Sequence, residues 1–137
     1  MIATDTNIHD YFSSLAEELN GLYMEYTNDS GAMNLKMANG RNQSVKSFLK
    51  MHSNGETVVF MSKVCYLEEY PEVDFQQMLE RNHELFFAKL VIDRGYLETQ
   101  AAVRLSNTSK EDMLFVINEV ARVADDLENE ITGLDVY

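Results

Sequence analysis

The residues able to do chemistry are few and lie far apart. Within 137 residues there are three histidines, His9, His52 and His83, and one cysteine, Cys65. The histidines fall in different expected elements. His83-Glu84 lacks a second histidine three or four residues away, the spacing that puts two imidazoles on one helix face around zinc. Cys65 lies in an apolar strand, where a lone thiol packs as a small hydrophobe. With no second cysteine, no intrachain disulfide can form. Asp125, Asp126, Glu128 and Glu130 resemble a metal cluster along the chain. On a helix, neighbours at i+1 and i+2 diverge, so only Asp125 with Glu128 and Asp126 with Glu130 share faces. That pattern predicts a solvated acidic surface. The six glycines are isolated at turns and helix ends, so there is no dinucleotide fingerprint and no phosphate loop. No nucleophile, base and oxyanion site come together. The sequence points away from catalysis and implies no metal and no cofactor.

The elements that would position these residues form an α+β domain. Ile8, Tyr11, Phe12, Leu15, Ala16, Leu19 and Leu22 recur with helical period, behind a cap at Thr6 or Asn7. Leu22 to Tyr26, Ala32 to Ala38, Arg41 to His52 and Glu56 to Tyr66 read as a β-meander. Its turns fall at Asn28-Asp29-Ser30-Gly31, at a two-residue Asn39-Gly40 hairpin and at Ser53-Asn54-Gly55. A helix then starts behind Asp74, with Phe75, Met78, Leu79, Leu85 and Phe86 on its apolar face. Asn82 intrudes on that face, which a buried amide bonded to backbone explains. Phe87 to Asp93 and Tyr96 to Leu105 form a hairpin, the second strand alternating Leu97, Thr99, Ala101, Val103 and Leu105 to one side. Lys110 to Ile131 is a long helix, capped at Thr108 or Ser109 and stopped by Gly133. The order α-β-β-β-β-α-β-β-α fits one domain, 1–137, with an antiparallel sheet.

Charge is uneven. Eleven Lys and Arg face 23 Asp and Glu, a net charge of −12, which disfavours nucleic acid and anionic membranes as partners. The acids concentrate in the two terminal helices, whereas residues 36–110 carry a net charge of +1. No apolar run approaches the ~20 residues of a membrane span. The first ten residues lack the basic start of a secretory signal, so the cytoplasm is the expected location.

One strand is apolar on both sides. Val58, Phe60 and Val64 alternate with Val59, Met61 and Cys65, and Phe48, Phe87 and Val91 fall opposite the core sets of their own strands. Helices cover one side of a sheet. The other needs a partner, a second copy, or a helix that crosses over. Phe48, Val59, Met61, Phe87 and Val91 are therefore the candidate partner-binding set. Five of eight methionines lie in the meander, and methionine adapts to varied partners.

Four segments then carry a family likeness: Gly40-Arg41-Asn42-Gln43-Ser44-Val45, Val58 to Cys65, Met78-Leu79-Glu80-Arg81-Asn82, and Val120 to Glu128. In this order the chain resembles the YbjN-type family, related in structure to type III secretion chaperones. The resemblance implies helices packed on an antiparallel sheet and frequent dimers. It also implies capture of unfolded effector segments without catalysis. The expectation is a non-catalytic, chaperone-like protein binder, a cytoplasmic homodimer with a protein partner. The alternative is a small-ligand sensor or enzyme whose site is assembled from residues distant in sequence. A deep pocket with convergent polar groups would favour the alternative, and a flat apolar surface the binder.

Overall fold

The computed structural model describes residues 7–52 and 55–137. The elements follow the expected order: α1 (Ile8–Glu18), β1 (Gly21–Thr27), β2 (Ser30–Lys36), β3 (Asn42–His52), β4 (Gly55–Tyr66), α2 (Phe75–Arg81), β5 (Lys89–Asp93), β6 (Tyr96–Arg104) and α3 (Lys110–Thr132). Each helix starts where a short polar side chain can take an orphan amide. Asn7 accepts from the N–H of His9, Asp74 from that of Gln77, and Ser109 from that of Asp112. Gly133 ends α3 in the left-handed conformation, at φ 69°. The turn expected at Ser53-Asn54 and the alternative cap Thr6 lie outside the described residues.

The strands form one antiparallel sheet in the order β1-β2-β3-β4-β6-β5. All three helices pack on the same face of it. Phe12, Leu15 and Ala16 of α1 meet Met33, Leu35, Val45, Val58 and Phe60, and Met113, Val116, Ile117, Val120 and Ala121 of α3 close the same core. A second cluster joins Met78 of α2 to Val64, Leu90, Leu97 and Leu127. The alternating β6 set, Leu97 to Leu105, is buried throughout on this face. Among the described residues no helix crosses to the other face.

Three local expectations need correction. The helix expected to reach Phe86 stops at Arg81 and tightens into a 3-10 turn, Asn82–Glu84, where Leu85 N bonds Asn82 O. The following strand accordingly begins at Lys89 rather than Phe87. The two-residue hairpin is a five-residue loop: the ladder ends at Lys36 opposite Asn42, and Met37 N bonds Arg41 O. Cys65 does not face away from the core. A β-bulge between Lys63 and Cys65 inserts an extra residue, so Val64 and Cys65 both turn inward.

Candidate functional site

Among the described residues no helix covers the second face of the sheet. Phe48 on β3 lies directly opposite Val59 on β4, and Lys46 opposite Met61. Val59 and Met61 in turn face Ala102 and Gln100 on β6. Val91 on β5 faces Glu98. Period-two alternation therefore brings four of the five candidates, Phe48, Val59, Met61 and Val91, to one surface. Each is half-buried, held by its strand neighbours with one side left open. The first three line a shallow concavity of about 410 Å³, with Lys46, Lys50, Lys63, Arg94, Tyr96 and Glu98 around them.

This face extends over residues the candidate set omits. Tyr23 of β1 packs its ring on Phe12 beneath the helices, so its neighbours Leu22, Met24 and Tyr26 point the other way, 79%, 63% and 55% exposed. The alternation of these three is plain in the sequence. Their face becomes assignable only once Tyr23 is known to point into the core.

Phe87 does not belong to this face, although it is 43% exposed. Its ring meets Phe115 of α3 edge-on at 5.8 Å, beside Phe86. The cause is Glu119, whose buried carboxylate accepts the backbone N–H groups of Phe86, Phe87 and Ala88 at 3.0, 2.8 and 2.7 Å. Those amides are thereby taken out of any strand ladder. Burial alone would raise the Glu119 pKa, but the three amide bonds outweigh it and hold the pKa below the ordinary carboxylate value.

The acidic stretch of α3 divides in two. Asp126 and Glu130 face solvent and pair with Arg122 and Arg81, as a solvated face would. Asp125 and Glu128, expected to be solvated with them, are instead buried, 1% and 0% exposed at the side chain. Arg41 makes this tenable: its Nε donates to Asp125 Oδ1 at 2.8 Å, and Nη2 lies 3.4 Å from Glu128 and 3.9 Å from Asp135. Nη2 also donates to Leu134 O. The bond to Asp125 raises the Arg41 pKa, so the guanidinium stays charged. Carboxylate oxygens of Asp125, Glu128 and Asp135 lie within 4.8 Å of one another, but this guanidinium already supplies their cation. Glu128 also accepts from Val136 N and Tyr137 N. Two of the segments that carry the family likeness thus meet in space through Arg41, Asp125 and Glu128.

No family model matches this chain, and no curated protein matches it. It is similar to a chain in the crystal structure of the ExsC-ExsE complex, at 15% identity and a TM-score of 0.60, over 92% of this chain and 97% of that one. The two chains share a fold. At this identity the likeness concerns the architecture: a six-stranded antiparallel sheet and three helices in the order found here.

Within this fold the reactive residue types stay apart among the described residues. Cys65 is buried among Met78, Leu97 and Leu127, and burial pushes its thiol pKa up to about 11, so it is not a nucleophile near neutrality. His9 Nδ1 bonds the Tyr23 hydroxyl at 2.6 Å beside α1, while His83 is exposed after α2. A wider depression of about 850 Å³ lies between α1, the β2–β3 loop and α3, and none of its lining residues is a serine, threonine, cysteine or histidine. No helix among the described residues is long and apolar enough to cross a membrane.

Proposed function

We propose that residues 1–137 act as a single chaperone-like unit that holds an extended segment of a partner protein on the open face of the sheet, without turnover. The observation that carries this reading is the one-sided placement of the helices. It leaves Phe48, Val59 and Met61 in a shallow, solvent-facing concavity rather than under a third layer. Apolar area in such a setting gains from being covered. The shared fold supports the reading, because the similar solved structure is of a complex. Membership of the YbjN-type family and a cytoplasmic location belong to the same proposal.

A homodimer is part of it as well. Phe75 and Leu79 on α2 and Ile92 on the edge strand β5 are 51%, 69% and 56% exposed and form an apolar strip separate from Phe48 and Met61. A second copy there leaves the open face free for a partner.

The test is affinity capture from the native host with the unaltered chain and with Met61→Asp, each identified by mass spectrometry. A protein retained by the first and by an exposed control, Glu111→Gln on α3, but lost with Met61→Asp supports the reading. A partner indifferent to Met61→Asp and Phe48→Asp removes it.

A further inference from the structure

Resting on that reading, we propose that the segment held on the open face is acidic, with Asp or Glu alternating with apolar residues. The first reason is charge. The chain as a whole carries −12, yet the concavity is lined by four cationic side chains, Lys46, Lys50, Lys63 and Arg94, against Asp93 and Glu98. Of the two acids, Glu98 is 2% exposed and is bonded by Gln100 Nε2 at 3.0 Å, so the cationic side chains outnumber the acids on the open surface. Among the described residues no carboxylate lies within 4 Å of Lys46, Lys50 or Lys63. Lys63 instead rests over the Tyr96 ring, 4.1 Å from its centroid. Lysines without an ion pair around an apolar floor select a partner that brings carboxylates together with aliphatic or aromatic side chains.

The second reason is what the chain itself lays at the margin of this face. The β3–β4 ladder starts only at Lys46 opposite Met61. Beyond it, Ser44 N bonds Tyr137 O at 2.6 Å, and Asn42 N bonds the Asp135 carboxylate at 3.1 Å. The Tyr137 ring stands edge-on to Tyr96, and Val136 and Tyr137 border a smaller hollow with Tyr26, Lys46, Met61 and Lys63. An Asp-Val-Tyr stretch, acid then apolar then aromatic, is thus already held against β3 by main-chain and carboxylate bonds. A partner segment of like composition lies beside it across the open face, held by side chains, its carboxylates reaching Lys46, Lys50 and Lys63. A polyanion without apolar groups leaves Phe48, Val59 and Met61 uncovered and meets the repulsion of the remaining acidic surface.

The experiment titrates the full chain with a synthetic peptide alternating Asp and Leu and, separately, with one alternating Lys and Leu, following backbone amide shifts. The Asp-Leu peptide is expected to move Lys46, Phe48, Val59 and Met61 and to bind about tenfold more tightly than its counterpart. Added salt should narrow that gap. Lys46→Glu with Lys50→Glu should reverse the preference; if the double variant loses its thermal transition, Lys50→Gln alone at its exposed position should still weaken it. Equal binding of both peptides at these residues overturns the acidic preference and leaves segment binding standing. No shift from either peptide removes both proposals. A single-stranded oligonucleotide or phosphatidylserine vesicles moving the same amides as strongly also overturn the inference.

Discussion

The side chain of Asn82 closes both backbone groups of Leu90. Leu90 N donates to Oδ1 at 2.6 Å, and Nδ2 donates to Leu90 O at 3.3 Å. The amide on the apolar side of α2 therefore acts as a surrogate strand neighbour that ties edge strand β5 to the end of the helix. Asn82→Leu keeps the volume and removes both bonds, leaving a Leu90 amide shielded from water. The expected cost is about 1–3 kcal/mol, read as a lower urea midpoint with unchanged slope. Asn82→Asp, which keeps the acceptor, should cost less.

Arg41 joins the β2–β3 loop to α3, and its removal strands two buried carboxylates. Arg41→Met should destabilise by about 3–5 kcal/mol, the usual effect of breaking one side of a buried ion pair. Adding Asp125→Asn to that variant should recover part of the loss in a double-mutant cycle, since one uncompensated charge is then gone. Additive losses would mean that Arg41 acts through the loop and not through Asp125.

Two buried glutamates should give opposite pH dependences. Glu98 has a raised pKa, chiefly from burial, so the native state holds its proton more tightly than the unfolded chain does. Its contribution becomes destabilising as pH rises from the ordinary value of 4.5 through the raised one. Glu98→Gln should therefore stabilise the protein at neutral pH and change little well below that value. Glu119 behaves in reverse. Its stabilisation is present above 4.5 and is lost as pH falls through its depressed native pKa. Glu119→Gln should cost about 1–3 kcal/mol at neutral pH, because an amide cannot accept from all three N–H groups, and the difference should shrink in acid. Urea midpoints of each variant across pH check both signs.

The fold was legible in sequence where one local signal sufficed. Helix period, Asp74 and Ser109 as caps, Gly133 as the stop and the β6 alternation depend on neighbours within a turn or two. What failed depends on groups far along the chain. Asp125 and Glu128 look solvated until Arg41, more than eighty residues earlier, is brought between them. Phe87 looks like a strand residue until Glu119 takes its amide. Cys65 changes sides because of a bulge that leaves no mark in apolar alternation. The open face was legible in the middle of the sheet, where Val59 and Met61 alternate against a known core set. At its edge, Leu22 and Met24 had no such reference.

The dimer strip and the open face should separate by mutation. Leu79→Asp places a charge in the α2–β5 strip and should shift sedimentation equilibrium toward the 15.7 kDa monomer. Met61→Asp should leave the dimer intact. A monomer in the unaltered chain at high micromolar concentration counts against the dimer, and a dimer lost only with Met61→Asp would assign that interface to the open face instead.

Met61 and Phe87 provide the sharpest contrast, because sequence placed them on one surface and the structure does not. Met61 sits among Phe48, Val59 and Lys63 in the concavity, whereas Phe87 packs on Phe115 over α3. Truncation at each should act through different quantities. Met61→Ala removes apolar area a bound segment would cover and should weaken binding of the Asp-Leu peptide, with a less negative heat-capacity change in calorimetry. Met61 is only partly exposed, so a modest stability cost should accompany the loss of binding. Phe87→Ala should lower the thermal transition by loosening the Phe86–Phe115 cluster and leave both the affinity and the heat-capacity change as they were. If Phe87→Ala abolishes peptide binding while Met61→Ala leaves it intact, the binding surface lies over α3 and not on the sheet.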